Sequence, residues 1–208
     1  MNHAATRKNQ AEERRTHILS SALEVFAEKG FSRTTVKDLA CAAGTSEGLM
    51  YHYFTNKQQL LEAAVLQYSF LPQLRNILYG TENLPCRVIL KTLGHGFLTL
   101  LQQRSQIIDI FIKEGSSNDR VYAIWVNLVR EGVNVLSDYL QERIEKGELR
   151  PHSPEITARC LFSAMLMHFF TRDILIVNDI SEDQFIDEVV DNLLNGITQR
   201  EDTAYQVR

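Results

Sequence analysis

Residues 34–54, TTVKDLACAAGTSEGLMYHYF, decide how this chain is read. Val36, Leu39, Ala40 and Ala43 recur at i, i+3, i+4 and i+7, one apolar face of a short helix, with Thr34 or Thr35 placed to cap its start. Gly44 stands just past the last periodic residue, where a glycine can take the left-handed conformation that turns a chain sharply. Ser46 is then the N-cap of a second helix carrying Leu49, Met50, Tyr51, His52, Tyr53 and Phe54. The expectation is a helix, a tight turn and a second helix crossing it steeply. A helical hairpin buried in a core would use the same turn. Tyr51, His52 and Tyr53 argue against it: successive helical residues step by about 100°, so three in a row cannot all be buried.

In such a pair the first helix buttresses, while the second offers its N-terminal half and outer face to the major groove of DNA. Gly48 is small enough to let backbone approach a base pair or phosphate closely, and Lys57 opens the next helix. Hydroxyls, an imidazole and an ammonium group beside helix N-termini make a surface that grips phosphate. On this reading Thr35, Tyr51, Tyr53 and Lys57 serve phosphates, Ser46, Glu47, Gly48 and His52 sit at or near base edges, and Thr34 belongs to the same DNA-binding set.

Residues 14–61 resemble the DNA-binding domain of the TetR family of transcriptional regulators. The resemblance is carried by Ile18, Ala22, Phe26, Gly30, Phe31, Thr34, Thr35, Leu39, Ala40, Ala43, Gly44, Ser46, Gly48, Tyr51, Tyr53, Phe54, Lys57, Leu60 and Leu61, in the family's order and spacing. Thr45, Cys41 and Glu47 depart from the usual pattern. Only Glu47 touches function. It suits a helix N-terminus electrostatically but repels phosphate, so it either accepts from a cytosine amino group or points along the groove.

With 208 residues and 44% hydrophobic content the chain can bury a real core. No apolar run reaches the roughly 18 residues of a membrane span, and MNHAATRKNQAEERR lacks the apolar stretch of a secretory signal. A cytoplasmic protein without membrane association is expected. Cys41, Cys86 and Cys160 lie far apart with no CxxC pair, so buried thiols are expected rather than disulfides or a zinc site. No cofactor is indicated. The net charge of -4 is unevenly spread: residues 1–60 hold eight Lys/Arg against six Asp/Glu, leaving them at +2 and the remainder at -6. A mildly basic end on an acidic chain would turn toward DNA basic end first.

Helical periodicity continues throughout, and no strand pattern appears. Residues 1–11 are polar and expected to be mobile, with Arg7 and Lys8 in reach of a phosphate or the minor groove. A first helix buries Leu19, Ala22, Leu23 and Phe26 and stops at Gly30; Asn56 with Gln59 can cap a helix over residues 57–78 that kinks near Pro72. Further helices are expected over residues 86–103, 106–114, 119–146, 154–177 and 182–197, giving an all-α fold of about nine helices. The division expected is a DNA-binding domain over residues 1–56 and a helical ligand-binding and dimerisation domain over 57–208, with residues 199–208 a frayed tail.

ITARCLFSAMLMHFFTRDILIV, residues 156–177, is apolar on every side and must be covered all round. The last helix aligns Ile186, Val189, Val190, Leu193, Leu194 and Ile197 opposite Asp183, Asp187, Glu188 and Asp191. Pairing both helices with their symmetry mates through Leu161, Met165, Phe169, Ile186, Val190, Leu193, Leu194 and Ile197 would give a four-helix, two-fold dimer, which the resemblance also implies. The resemblance implies a ligand cavity as well. Tyr68, Phe97, Phe111, Tyr122, Trp125, Met165 and Phe169 could line it, with His95 or His168 as polar anchor, and so few charges suit an apolar or amphipathic molecule.

A homodimeric repressor released from an inverted-repeat operator by such a molecule is the leading expectation. An enzyme would need a nucleophile, base and orienter, or metal-ligand spacing. His95, His168, Asp109, Asp173 and Arg172 form neither, although His168 and Arg172 share a helix face. A third reading, an adaptor whose helices bind another protein and not DNA, is opposed by the intact Tyr51, Tyr53 and Lys57.

Overall fold

The computed structural model describes residues 3–79, 84–172 and 180–197, with side chains from residue 9 to residue 196. These residues form ten α-helices and no strand: α1 (His3–Lys29), α2 (Val36–Ala42), α3 (Glu47–Tyr53), α4 (Lys57–Tyr68), α5 (Leu71–Tyr79), α6 (Cys86–Gln103), α7 (Ser105–Glu114), α8 (Asp119–Glu145), α9 (Pro154–Thr171) and α10 (Glu182–Ile197). Among them no helix is long and apolar enough to cross a membrane.

Two differences from the sequence expectation have local causes. Residues 3–11, expected to be mobile, belong to α1, because HAATRKNQAEERR is rich in Ala, Glu, Gln, Lys and Arg, which lose little on entering a helix. The single kinked helix over 57–78 is instead two. Ser69 is extended (φ -75°, ψ 177°) and closes α4. Pro72 lies in the first turn of α5, where its missing N–H costs nothing, but it could not have donated to Tyr68 in a continuous helix. Ser69 Oγ accepts from the Leu71 N–H at 3.4 Å and so starts α5. The end expected for α9 at residue 177 and the tail over 199–208 lie outside the described residues.

Packing divides the chain into two compact units, residues 1–72 with 103–129 and residues 73–102 with 130–208. This cut differs from the functional boundary drawn at residue 56, since α4, α7 and the start of α8 share a core with α1–α3. Phe26 and Leu19 lie at its centre, surrounded by Phe31, Leu39, Met50, Phe54, Leu61, Val65, Ile110, Phe111 and Val121. Lys113 and Glu114 at the end of α7 reach the α1–α2 corner.

In the second unit α9 packs on α10, and α6 meets α10 along a ladder of side-chain pairs: the ion pairs of Arg87 with Asp191 and Lys91 with Asp187, and the contact of His95 with Asp183. Gly94 lets α6 come close, for a Cβ there would stand 2.9 Å from Ile186 Cγ2 and 3.5 Å from Met165 Sδ. This packing occupies five of the residues expected at the dimer surface. Leu161, Met165, Ile186, Val190 and Leu194 are buried within one chain, and the acidic face of α10 is paired with α6. Leu193 and Phe169 are half-buried, and the Ile197 side chain lies outside the described residues. Periodicity found the apolar faces but could not say which of them a neighbouring helix of the same chain covers.

Phe26→Ala should lower the stability of the first unit by about 3–5 kcal/mol, since a fully buried ring leaves a cavity. Denaturant unfolding followed by circular dichroism measures it. A loss under 1 kcal/mol would contradict a core shared by α1, α4 and α7.

Candidate nucleic-acid interface

The turn between α2 and α3 is built by backbone bonds. Gly44 at φ 58° donates to Cys41 O and Thr45 donates to Ala40 O, at 3.1 and 2.9 Å, the two bonds that close a helix through a left-handed glycine. Each short helix is then capped. Thr35 Oγ1 accepts from the Asp38 N–H at 3.1 Å while the Asp38 carboxylate accepts from the Thr35 N–H and hydroxyl, and Ser46 Oγ accepts from the Leu49 N–H at 3.2 Å. Lys29 Nζ lies 2.8 Å from Asp38 Oδ1.

Within α3, Met50 points into the core and Phe54 closes the helix from below, which leaves Ser46, Glu47, Gly48, Tyr51 and His52 exposed on one side. Tyr51 is 55% exposed. Tyr53 is half-buried; its hydroxyl donates to Ala11 O at 3.4 Å and its ring meets His52 edge-on at 5.4 Å. Gly48 has no atom nearer than 4.0 Å around the place of a Cβ and no left-handed backbone, so nothing inside the fold calls for glycine there.

Three of the residues assigned to DNA contact, Thr34, Thr35 and Lys57, make bonds within the fold. Thr34 is 2% exposed and its hydroxyl donates to Gly30 O at 2.6 Å, so it fastens the end of α1. The hydroxyl proton of Thr35 is committed to Asp38, and a phosphate oxygen could take it only by breaking the cap. Lys57 Nζ donates to Phe31 O at 2.6 Å and Thr34 O at 2.8 Å and sits 4.4 Å above the Phe31 ring. Burial pushes its pKa down, against the attraction of Glu114. Sequence gave no sign of this, because the carbonyls Lys57 reaches are 23 and 26 residues away. Lys37, exposed on α2 and overlooked in the motif, has no hydrogen bond or ion pair among the described residues.

The residues nominated for a ligand fall into separate groups. In the first unit Phe111 packs on Trp125 at 4.6 Å, and the Tyr68 hydroxyl donates to Thr16 O at 3.0 Å with its ring beneath Arg104. Tyr122 is 57% exposed on the outside of α8 and lines no interior. In the second unit Met165 is buried against Gly94, Phe97 meets Phe162 edge-on at 5.2 Å, and Phe169 lies under Arg172. Of the two histidines, His95 pairs with Asp183 at the surface, and His168 stacks on Phe185 at 4.0 Å. A cleft of about 110 Å³ bounded by Leu78, Tyr79, Val135, Tyr139 and Arg143 contains none of these residues and is smaller than a drug-sized ligand requires. All three cysteines are free, and only Cys86 is buried, its thiol pushed up to about 11 by that burial. Cys41 and Cys160 are exposed. Asp173 lies outside the described residues.

Two short capped helices joined by a left-handed glycine, the second with its polar side bare, define a helix-turn-helix DNA-binding protein. Residues 18–64 match the model of bacterial regulatory proteins of the tetR family, and residues 89–198 match the C-terminal domain of AefR-like transcriptional repressors. The chain belongs to the TetR family and is a DNA-binding transcriptional regulator. Regulators of this family bind operator DNA and effector ligands and are not enzymes. It is 28% identical to the HTH-type transcriptional regulator UidR of Escherichia coli (strain K12) over 158 residues, 74% of this chain and 79% of that protein. With the uncharacterised HTH-type regulator YvkB of Bacillus subtilis (strain 168) it shares 30% over 155 residues, 74% and 80% of the two chains. Its fold is similar to that of FadR from Bacillus subtilis in complex with stearoyl-CoA, with a TM-score of 0.68 at 20% identity, covering 87% of this chain and 98% of the other.

The caps carry a pH signature. The Asp38 carboxyl is held well below the usual carboxylate range, first by the Lys29 ammonium and then by the Thr35 hydroxyl and N–H. Its folded value lies under the unfolded one, so its contribution is complete above about pH 4 and is lost only as the pH falls through the depressed value. An NMR titration of Asp38 should therefore show a midpoint below that of free aspartate, and Lys29→Met should raise it. A wild-type midpoint at the free value would refute the cap.

Proposed function

We propose that this regulator is a homodimeric repressor that binds an inverted-repeat operator through α2 and α3 and is released by an apolar or amphipathic small molecule. The observation that carries the operator reading is the bare side of α3. Ser46, Glu47, Gly48, Tyr51 and His52 are exposed together, and Gly48 spends helix stability where the fold has no use for it. A glycine kept for the fold's exterior suits close approach to a duplex, with Lys37 and Tyr51 serving phosphates and Ser46, Glu47 and His52 at base edges.

Selection from random-sequence DNA followed by gel shifts tests this directly, an inverted repeat being the expected winner and no enrichment the outcome that sinks it. Gly48→Ala gives a sharper test because two effects oppose. It should raise the stability of the first unit by about 0.5–1 kcal/mol and yet weaken binding to the selected duplex. Lys37→Ala should reduce the salt slope by about one contact, and an unchanged slope would remove it from the phosphate set.

Support for the dimer comes from α9. Ile156, Cys160, Ser163, Met167 and Phe170 recur at steps of four and three and are all exposed, Ile156 at 62% and Met167 at 61%. An apolar stripe of this kind marks an interaction surface, and a second copy crossing α9 about a two-fold axis would cover it. Met167→Glu should split the dimer in sedimentation while leaving each chain folded. Val190→Glu should instead unfold the second unit, because that side chain is buried in its own chain. A wild-type monomer at micromolar concentration would end the dimer reading. For the effector, the support is the aromatic and Met content of α6–α9 and the fatty-acyl ligand of FadR; calorimetry with acyl-CoA, with and without operator, tests it.

A further inference from the structure

The corner between α1 and α2 is closed largely from outside its own sequence. Lys113 Nζ donates to Ala27 O at 2.7 Å, in the last turn of α1. The Glu114 carboxylate accepts from the Ser32 N–H at 3.0 and 3.1 Å and from the Ser32 hydroxyl at 2.7 Å, and Asn118 Nδ2 donates to Ser32 Oγ at 3.1 Å. Glu114 is only 8% exposed. The corner is also shaped for it, since any Cβ on Gly30, already at φ 81°, would collide with Glu114 Oε1. A carboxylate withdrawn from water is held only while those donors stay in place.

We infer that the last turn of α7 is a latch that sets the attitude in which α2 and α3 are presented, with Glu114 and Lys113 as positioning residues for operator binding. The inference rests on the operator reading given above and adds to it the element through which presentation is controlled. The break at Ser69 means that α4 does not continue as one rod beyond Tyr68. By contrast α7 is unbroken over ten residues, roughly 15 Å, from the linking residue Arg104 to the corner. Displacing α7 by about 1 Å would stretch the 2.7 Å bond to Ser32 past the length at which it counts as one. The latch is therefore made or broken rather than graded, as a switching element must be.

The test uses the full-length protein and the duplex that wild type selects from random-sequence DNA, together with duplexes whose half-site spacing is longer or shorter by one base pair. Glu114→Gln keeps the shape but removes the charge and one acceptor. It should weaken binding to the best duplex at least tenfold and shrink the preference for the best spacing at least threefold. The salt slope should not change, since no phosphate contact is lost. A merely structural role would lower the melting temperature without altering the spacing preference at a temperature where the variant is folded. Should Glu114→Gln fail to fold, Ser32→Ala and Lys113→Met each remove one bond only and should move affinity and spacing preference in the same direction. Operator affinity within twofold of wild type and an unaltered spacing preference in the folded variants would overturn the latch. A wild type that selects no duplex, read before any variant is made, overturns the operator reading and the latch with it.

Discussion

Helices of seven residues do not persist in water, because the cost of nucleating them exceeds what so few hydrogen bonds return. Both helices that make this protein a DNA-binding regulator have that length, so each depends on caps at its ends and on a core supplied by other elements. Phe26, Phe31, Leu39, Met50 and Phe54 share that core with Leu61, Val65, Ile110 and Phe111. The bare polar side of α3 exists because its other side is committed there.

The same constraint explains why so many polar side chains near the motif are committed to the corner between α1 and α2. A corner of six residues between α1 and α2 leaves N–H and C=O groups without helical partners, and each must be satisfied if it is buried. Thr34, Thr35, Lys57, Lys113 and Glu114 do this work. Cation and hydroxyl content near a helix-turn-helix is thus a poor measure of its grip on DNA. What remains exposed and uncommitted, Lys37, Tyr51, His52 and the α3 N-terminus, is a smaller set.

In the second unit the accounting is between faces rather than caps. The acidic side of α10 faces Arg87 and Lys91 of α6, with His95 beside Asp183, and its apolar side packs within the chain. Gly94 allows the close approach that makes both possible. Among the described residues, α9 carries an exposed apolar stripe from Ile156 to Phe170.

Sequence alone determined the all-helical fold, the positions of α2, α3, α6, α7, α8 and α10 to within a residue or so, the turn at Gly44 and the family. The helices and the turn follow from local periodicity, caps and glycines, whose physics acts over a few residues, and the family from the resemblance carried by residues 14–61. It also showed that Tyr51, His52 and Tyr53 could not all be buried, because residues adjacent on a helix cannot share one buried face, and Tyr51 and His52 are exposed while Tyr53 is half-buried. Only the tertiary structure decided that Lys57 and Thr34 brace the corner, that Glu114 closes it, that Leu161, Met165, Ile186 and Val190 are core, and that Ile156 and Met167 are surface. Those outcomes depend on which groups the fold brings together, across 23 residues for Lys57 and Thr34 and 82 for Ser32 and Glu114, and periodicity along one helix carries no record of what packs against it.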